Sequence, residues 1–160
     1  MSLQGQITDA VTRIGQEIKN LGGKPLPRNF VSAQSLIVTT HSQNNFVTKL
    51  NLPFTVAADD TGLYKLEWVY SWNLDNTGIN FIAQVLLDGS VIREHQQEPK
   101  DSAGSFGSTG TDQRHMLCGF ALQTLAAGPH SLAIRFRPQS NSRKASMWDA
   151  SATAQLVAQP

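Results

Sequence analysis

The sequence contains a single cysteine, which excludes an intrachain disulfide framework. Cys118 lies in the apolar run Met116–Phe120, and this setting predicts a buried structural thiol. An unpaired cysteine also favours synthesis in a reducing cytoplasm. The N-terminus shows no basic start followed by an apolar block, the pattern of a secretion signal. We therefore expect a soluble protein made inside the cell.

Charged residues are also scarce, at 16% of 160 residues with a formal net charge of +1. A balance so close to zero predicts no strong field toward nucleic acid or an anionic membrane. The longest uncharged run, 115–134, contains Gly128, Pro129 and several polar side chains, so it does not predict a membrane span. The length fits one domain with a sizeable core.

Catalytic and metal-binding motifs are missing as well. No Gly-x-Ser-x-Gly sequence places a nucleophile on a strained turn, and no Gly-rich phosphate loop leads into a helix. The dipeptides Asp59-Asp60 and Asp75-Asn76 fit turns better than calcium loops. The histidines lack the close spacing of zinc sites: His41, His95, His115 and His130. Two carboxylates can still converge as a glycoside-hydrolase pair, which leaves that enzyme class as a weak alternative to a non-enzymatic protein without cofactor or metal.

The chain begins with an amphipathic segment over residues 4–21. Its apolar residues alternate at intervals of four and three, which is the heptad seam of a coiled coil. Branched side chains at both seam positions favour three or more strands, so we expect a homotrimer. The predicted trimerisation seam consists of Ile7, Val11, Ile14, Ile18 and Leu21. The alternative is that this helix packs on its own domain, because so short a helix is marginal alone.

The amphipathic segment is followed by a Gly/Pro stretch. Gly22 and Gly23 end the predicted helix, and Pro25 and Pro27 stiffen the connection. This pattern divides the chain into an N-terminal trimerisation or anchoring helix over residues 1–21, a neck over 22–29 and a β head over 30–160.

The head shows the alternation of β-strands. Residues 63–74 have the clearest pattern, and residues 79–87 are apolar on both faces, as in a central strand. Asp88-Gly89 predicts a tight hairpin. Further strands are expected at 36–40, 46–56, 91–97, 114–125, 130–137 and 147–157. About eight strands with closely spaced turns predict a mainly β fold, a single antiparallel jelly-roll sandwich preceded by a short coiled-coil helix.

Two polar loops, 98–112 and 138–144, are candidate recognition surfaces. Their candidate contact residues are Ser105, Phe106, Ser108, Arg143 and Lys144. Trp68 and Trp72 lie on the apolar face of their strand, which favours a core or subunit interface over a sugar-stacking platform. Arg135 and Arg137 alternate with a core face and point outward, toward solvent, an intersubunit ion pair or an acidic partner.

Three segments resemble parts of known virion proteins. Ile7–Lys19 is similar to N-terminal segments of tailed-bacteriophage virion proteins. Leu125–Arg135, in which a leucine, a glycine turn and a histidine precede an alternating strand, resembles the penultimate strand region of small phage jelly-roll domains. Met147–Ala154 resembles the last strand of those domains.

The resemblance implies a non-enzymatic virion structural protein, a homotrimer of jelly rolls on a helical stalk. Such proteins serve as capsid decoration (cement) proteins or head fibres, or as receptor-binding tail-fibre and tail-tip proteins that recognise a host surface glycan. The short stalk favours the capsid role. The implied partners are other copies of the chain and phage capsid or tail proteins, with no nucleic acid or membrane, and the implied location is the virion.

Overall fold

The computed structural model describes residues 30–75, 78–99 and 114–159. The predicted helix and its seam, the neck, and Ser105, Phe106 and Ser108 lie outside these residues. Within them, no helix is long and apolar enough to cross a membrane. The strands are β1 (Phe30–Ser35), β2 (Thr39–His41), β3 (Val47–Val56), β4 (Gly62–Leu74), β5 (Phe81–Leu87), β6 (Ser90–Gln97), β7 (His115–Leu125), β8 (Gly128–Pro138) and β9 (Ala145–Ala158).

The strands form two antiparallel sheets. The first sheet has the order β1-β9-β4-β7, with β2 also paired to β9, and the second has the order β3-β8-β5-β6. Strands consecutive in the chain therefore cross repeatedly from one sheet to the other. This arrangement confirms the predicted jelly-roll sandwich, with β7 and β6 as edge strands on the same side.

The core is formed by side chains that alternate along the strands and meet between the sheets. β4 contributes the largest apolar face, and both Trp68 and Trp72 are buried, which confirms that they belong to the core. Trp72 stacks on Phe81 of the opposite sheet with 4.4 Å between ring centroids. Burial of such side chains contributes about 1.5–3 kcal/mol each to the free energy of unfolding. Opposite β4 lie Leu50, Leu52, Phe54, Leu132, Ile134 and Phe136.

The hairpin between β5 and β6 follows the sequence prediction. Asp88 and Gly89 have φ values of 51° and 81°, as a two-residue turn with two left-handed residues requires. All residues of β5 except Leu87 are buried, which confirms a central strand. The Asp88 side chain also accepts a hydrogen bond from the Ser131 amide at 2.7 Å, so the turn is joined to β8.

The first predicted strand, 36–40, is wrong in position. β1 ends at Ser35, which pairs with Ala150, and β2 resumes at Thr39, which pairs with Met147. Trp148 and Asp149 of β9 lie between these paired positions, so residues 36–38 cross this gap outside the ladder. Leu36 and Val38, the apolar residues of the predicted alternation, are therefore 65% and 40% exposed.

The predicted burial of Cys118 is also wrong. β7 is an edge strand, and its alternation turns Leu117, Gly119 and Ala121 toward the sandwich. Cys118 therefore lies on the outer face of the first sheet and is exposed. An apolar sequence on both faces of an edge strand leaves one face uncovered by the described part of its domain.

Candidate functional site

The outer face of β7 is the candidate functional site. Alternate residues of this strand place four apolar or weakly polar side chains in one exposed row, which we call the β7 stripe: Met116, Cys118, Phe120 and Leu122. The exposed fractions of Met116, Phe120 and Leu122 are 78%, 63% and 51%. Isolated exposed apolar side chains are ordinary, but a contiguous row marks an interaction surface.

The surface beside the β7 stripe is nearly neutral. On β4, Lys65 and Glu67 form an ion pair of 2.7 Å, and the Lys65 ammonium lies 5.6 Å from the Phe120 ring centroid. β9 continues the face with small or uncharged side chains, Ser151, Thr153 and Gln155. An exposed ion pair of this kind contributes little to stability, and the charges of Lys65 and Glu67 cancel. The face therefore offers a partner apolar contact beside a surface without net charge.

The two ends of the sandwich differ in their chemistry. At the end where β1 begins, Phe30 lies in the same cross-strand row as Gln155, Lys65 and Leu122, and it is 57% exposed. At the same end, a cleft of about 500 Å³ is lined mainly by residues of β4, β7 and β9. Phe30, the first described residue, therefore lies at one end of the outer face of the first sheet.

The opposite end carries a polar cleft between the β2–β3 and β8–β9 loops. Its volume is about 530 Å³, and its lining residues are Ser42, Gln43, Asn44, Asn45 and Asn141. The Asn44 amide donates to Asn141 Oδ1 at 2.6 Å, which joins the two loops. Residues 42–45 were not among the predicted site residues. Their uninterrupted polar run between two strands is the feature of the sequence that could have indicated this cleft.

The structure places two of the predicted recognition residues at this polar end. Arg143 and Lys144 are exposed in the β8–β9 loop, but they do not line the cleft. The Lys144 amide donates to Asp75 Oδ1 at 2.8 Å, and the Asp75 amide donates to the Lys144 carbonyl at 3.0 Å. Asp75 therefore stabilises the turn after β4 by hydrogen bonds to Lys144, in agreement with the turn predicted from the sequence.

The four histidines lie in separate settings. His41 contacts the Asn45 carbonyl at 2.8 Å, and His115 stacks on Trp72 with 4.6 Å between centroids. His95 faces Tyr70 with 6.2 Å between ring centroids. Across residues 30–75, 78–99 and 114–159, no group of three or more His, Cys, Asp or Glu side chains is placed to hold a metal ion.

Burial affects three titratable groups inside or at the edges of the sandwich. It raises the pKa of Tyr70, and it lowers the pKa of His95, to which the positive charge of Arg93 adds. Burial also lowers the pKa of Lys49, against the opposing charge of Asp149. The Lys49 ammonium donates to the carbonyls of Ile37 and Trp148, so this lysine ties β3 to the first sheet.

His130 joins the β5–β6 hairpin turn to the β7–β8 connection at the end of the sandwich where β1 begins. Its Nδ1 lies 2.7 Å from Asp88 Oδ2 and its Nε2 lies 2.9 Å from the Ala126 carbonyl, so both ring nitrogens donate when the ring is protonated. Partial burial by itself lowers the pKa of His130. The hydrogen bonds to Ala126 and Asp88, with the Asp88 charge, outweigh burial and raise this pKa above 6.5.

A raised pKa in the folded state predicts a pH-dependent contribution of His130 to stability. The contribution is fully present below pH 6.5 and is lost as the pH rises through the raised folded pKa, because the folded state then releases the extra proton. In melting curves from pH 6 to pH 9, we expect the unmodified protein to lose stability relative to His130→Gln. His41→Gln serves as the control and should keep the pH dependence. An equal loss in His130→Gln would contradict this assignment.

Comparisons with known proteins find likeness in structure alone. No protein-family model matches the sequence, and no curated protein matches it. Among solved structures, Eiger TNF from S. frugiperda is similar with a TM-score of 0.50 and 13% identity, covering 83% of this chain and 96% of that one. A structure of the Gx strain of infectious bursal disease virus is similar with a TM-score of 0.48 and 8% identity, covering 84% of this chain and 35% of that one.

Dimeric latent PorU from Porphyromonas gingivalis gives a TM-score of 0.46 at 10% identity, over 84% of this chain and 14% of that chain. The chain thus corresponds to a small part of this protein. Globular complement 1q and carbohydrate-binding domains are among the other similar structures. The likeness to Eiger TNF shows the jelly-roll fold alone.

Proposed function

We propose that this chain is a homotrimeric, non-enzymatic virion structural protein of a tailed bacteriophage, acting as a capsid decoration or head-fibre protein. The observation that carries the proposal is the β7 stripe, an apolar row on an edge strand that the described part of its own domain leaves exposed. In a closed three-fold ring, each copy covers the stripe of a neighbour, and no stripe is left uncovered to bind further copies.

The energetics of the stripe favour a second copy of this chain as the occupant. Burying one large apolar side chain contributes about 1.5–3 kcal/mol, so the three large side chains of the stripe would form the central apolar contact of an interface between copies. The neighbouring face adds no net charge to oppose association, because Lys65 and Glu67 neutralise each other. A partner with a strong charge of either sign has no complement on this face.

The position of Phe30 supports a helical stalk on the same trimer. The preceding chain enters at the end of the outer face of the first sheet, in the row that ends at Leu122. Three strand spacings, about 14 Å, separate these two positions. A neck over residues 22–29 can span this distance and bring three copies of the seam from Ile7 to Leu21 onto one axis.

Three-fold symmetry is compatible with a capsid role. A trimer that binds an assembled shell at a three-fold position, and free shell subunits less well, stabilises the shell by mass action. The likeness of Leu125–Arg135 to phage jelly-roll strands supports this choice, and in the structure this segment contains the turn and strand that His130 anchors.

One observation favours a receptor-binding tail protein as the second candidate. The polar cleft at residues 42–45 and 141 lies near the start of β9, whereas Phe30 pairs with Gln155 near its end. Nine residues of strand, about 30 Å, separate the two ends. The cleft therefore lies far from the end that joins the stalk, as a surface for a host glycan requires.

Electron microscopy of virions labelled with gold-conjugated antibody against the head domain tests the proposal. We expect gold on the capsid, spaced as three-fold positions are. Gold at the tail tip would contradict the capsid role and support a receptor-binding tail protein. Absence of the protein from purified virions, checked by immunoblot of the same preparation, would contradict both.

A further inference from the structure

We propose that the outer face of the second sheet carries a binding site for an acidic saccharide, with Arg135 and Arg137 as the groups that bind its carboxylate or sulfate. The site lies on β8, the second strand of that sheet, and is separate from the β7 stripe on the first sheet. Its oxyanion chemistry goes beyond the structural role proposed above.

The two arginines are held together by one aromatic ring. Their guanidinium carbons lie 4.6 Å and 5.1 Å from the ring centroid of Phe46, which precedes β3. Arg135 Nε donates to Gln84 Oε1 at 2.9 Å, and this bond fixes the orientation of that guanidinium. Stacking on a ring restricts both side chains before any ligand arrives, which lowers the entropic cost of binding.

The positive charges of this pair are not neutralised within the described part of the domain. The ion pairs found there, Lys65–Glu67 and His130–Asp88, lie elsewhere. Glu94, on the adjacent strand, is the hydrogen-bond acceptor of the Gln84 amide rather than an arginine partner. Two neighbouring guanidinium groups without a carboxylate attract an oxyanion, which their planar donor forks bind in a bidentate manner.

The neighbouring cleft favours a saccharide as the carrier of that oxyanion. Asn45, which lines the polar cleft, directly precedes Phe46 in the chain. The cleft is rich in amides and also carries a serine hydroxyl, groups that both donate and accept hydrogen bonds as sugar hydroxyls require. An acidic peptide would form ion pairs with the arginines but does not require a row of neutral amides.

Titration calorimetry with three hexasaccharides of equal length tests the proposal: one sulfated, one built of uronic acids and one neutral. We expect the acidic sugars to bind and the neutral one to bind at least about tenfold more weakly, because charge-assisted hydrogen bonds carry the difference. The two acidic arms distinguish sulfate from carboxylate. Equal affinity for neutral and acidic sugars, or no binding of any of the three, would overturn the proposal.

Variants then test the assigned residues. Arg137→Gln should weaken binding of the better acidic sugar about tenfold or more. Arg137→Lys should recover only part of the lost affinity, because lysine keeps the charge but lacks the bidentate fork. Arg93→Gln removes the same charge from exposed β6 and is the matched control. Unchanged affinity in Arg137→Gln, or equal binding of a hexaglutamate peptide, would overturn the assignment. All variants should keep the molecular mass of the unmodified protein, which separates this test from that of trimer formation.

Discussion

Replacing Phe120 by glutamate is expected to convert the proposed trimer into monomers. Phe120 lies in the middle of the β7 stripe and is 63% exposed in the single domain. In the proposed ring, the substitution places one carboxylate in each of three interfaces that must lose water. Desolvation of these charges exceeds the gain from the remaining apolar contacts.

Sedimentation velocity measures this change directly. We expect Phe120→Glu to sediment as a species of 17.4 kDa and the unmodified chain as one of three times that mass. Cys118 supplies a second readout, because its thiol should react slowly in the trimer and quickly in the monomer. Val91→Glu is the matched control, since Val91 is 46% exposed on β6 of the other sheet. A Phe120→Glu variant that stays trimeric, with a protected thiol, would exclude the stripe as the interface.

Replacing Gly119 by valine is expected to cause the largest loss of stability. A Cβ atom at Gly119 would lie 2.9 Å from three atoms of the Trp68 indole, closer than real side chains allow. Trp68 is only 4% exposed and is surrounded by core residues, so its ring cannot move away without disturbing them. We expect a loss of about 1–3 kcal/mol, as for other overpacked cores.

A double-mutant cycle identifies the steric cause. Urea unfolding at one protein concentration should show that Gly119→Val lowers the free energy of unfolding by less in a Trp68→Phe background, because the smaller ring leaves space for the valine side chain. Thr124→Val is the control, since Thr124 points outward from the same strand and its substitution should change the free energy of unfolding by less than about 0.5 kcal/mol. Equal costs of Gly119→Val and Thr124→Val would refute the proposed close packing.

Local patterns in the sequence were sufficient to predict most strands. Residues 64–74 carry a large apolar side chain at every second position, and the structure has β4 at Gly62–Leu74. Asp88-Gly89 determines its own hairpin through backbone conformation. These features depend on neighbours in the chain, so they can be read without knowledge of the sheet order.

The exposure of Cys118 could not be predicted in that way. β7 is apolar on both faces, and the position of the strand at the sheet edge decides which face its own domain covers. The polar cleft has a similar origin, because Asn44 and Asn141 meet only when the loops around β9 are brought together. Nor does sequence spacing show that Phe46 lies between Arg135 and Arg137.

The molar mass of the full-length chain, measured by light scattering over a series of concentrations, tests the central claim most directly. We expect three times 17.4 kDa, with dissociation only on strong dilution. A mass of 17.4 kDa at the highest concentration would contradict a trimer built on the β7 stripe.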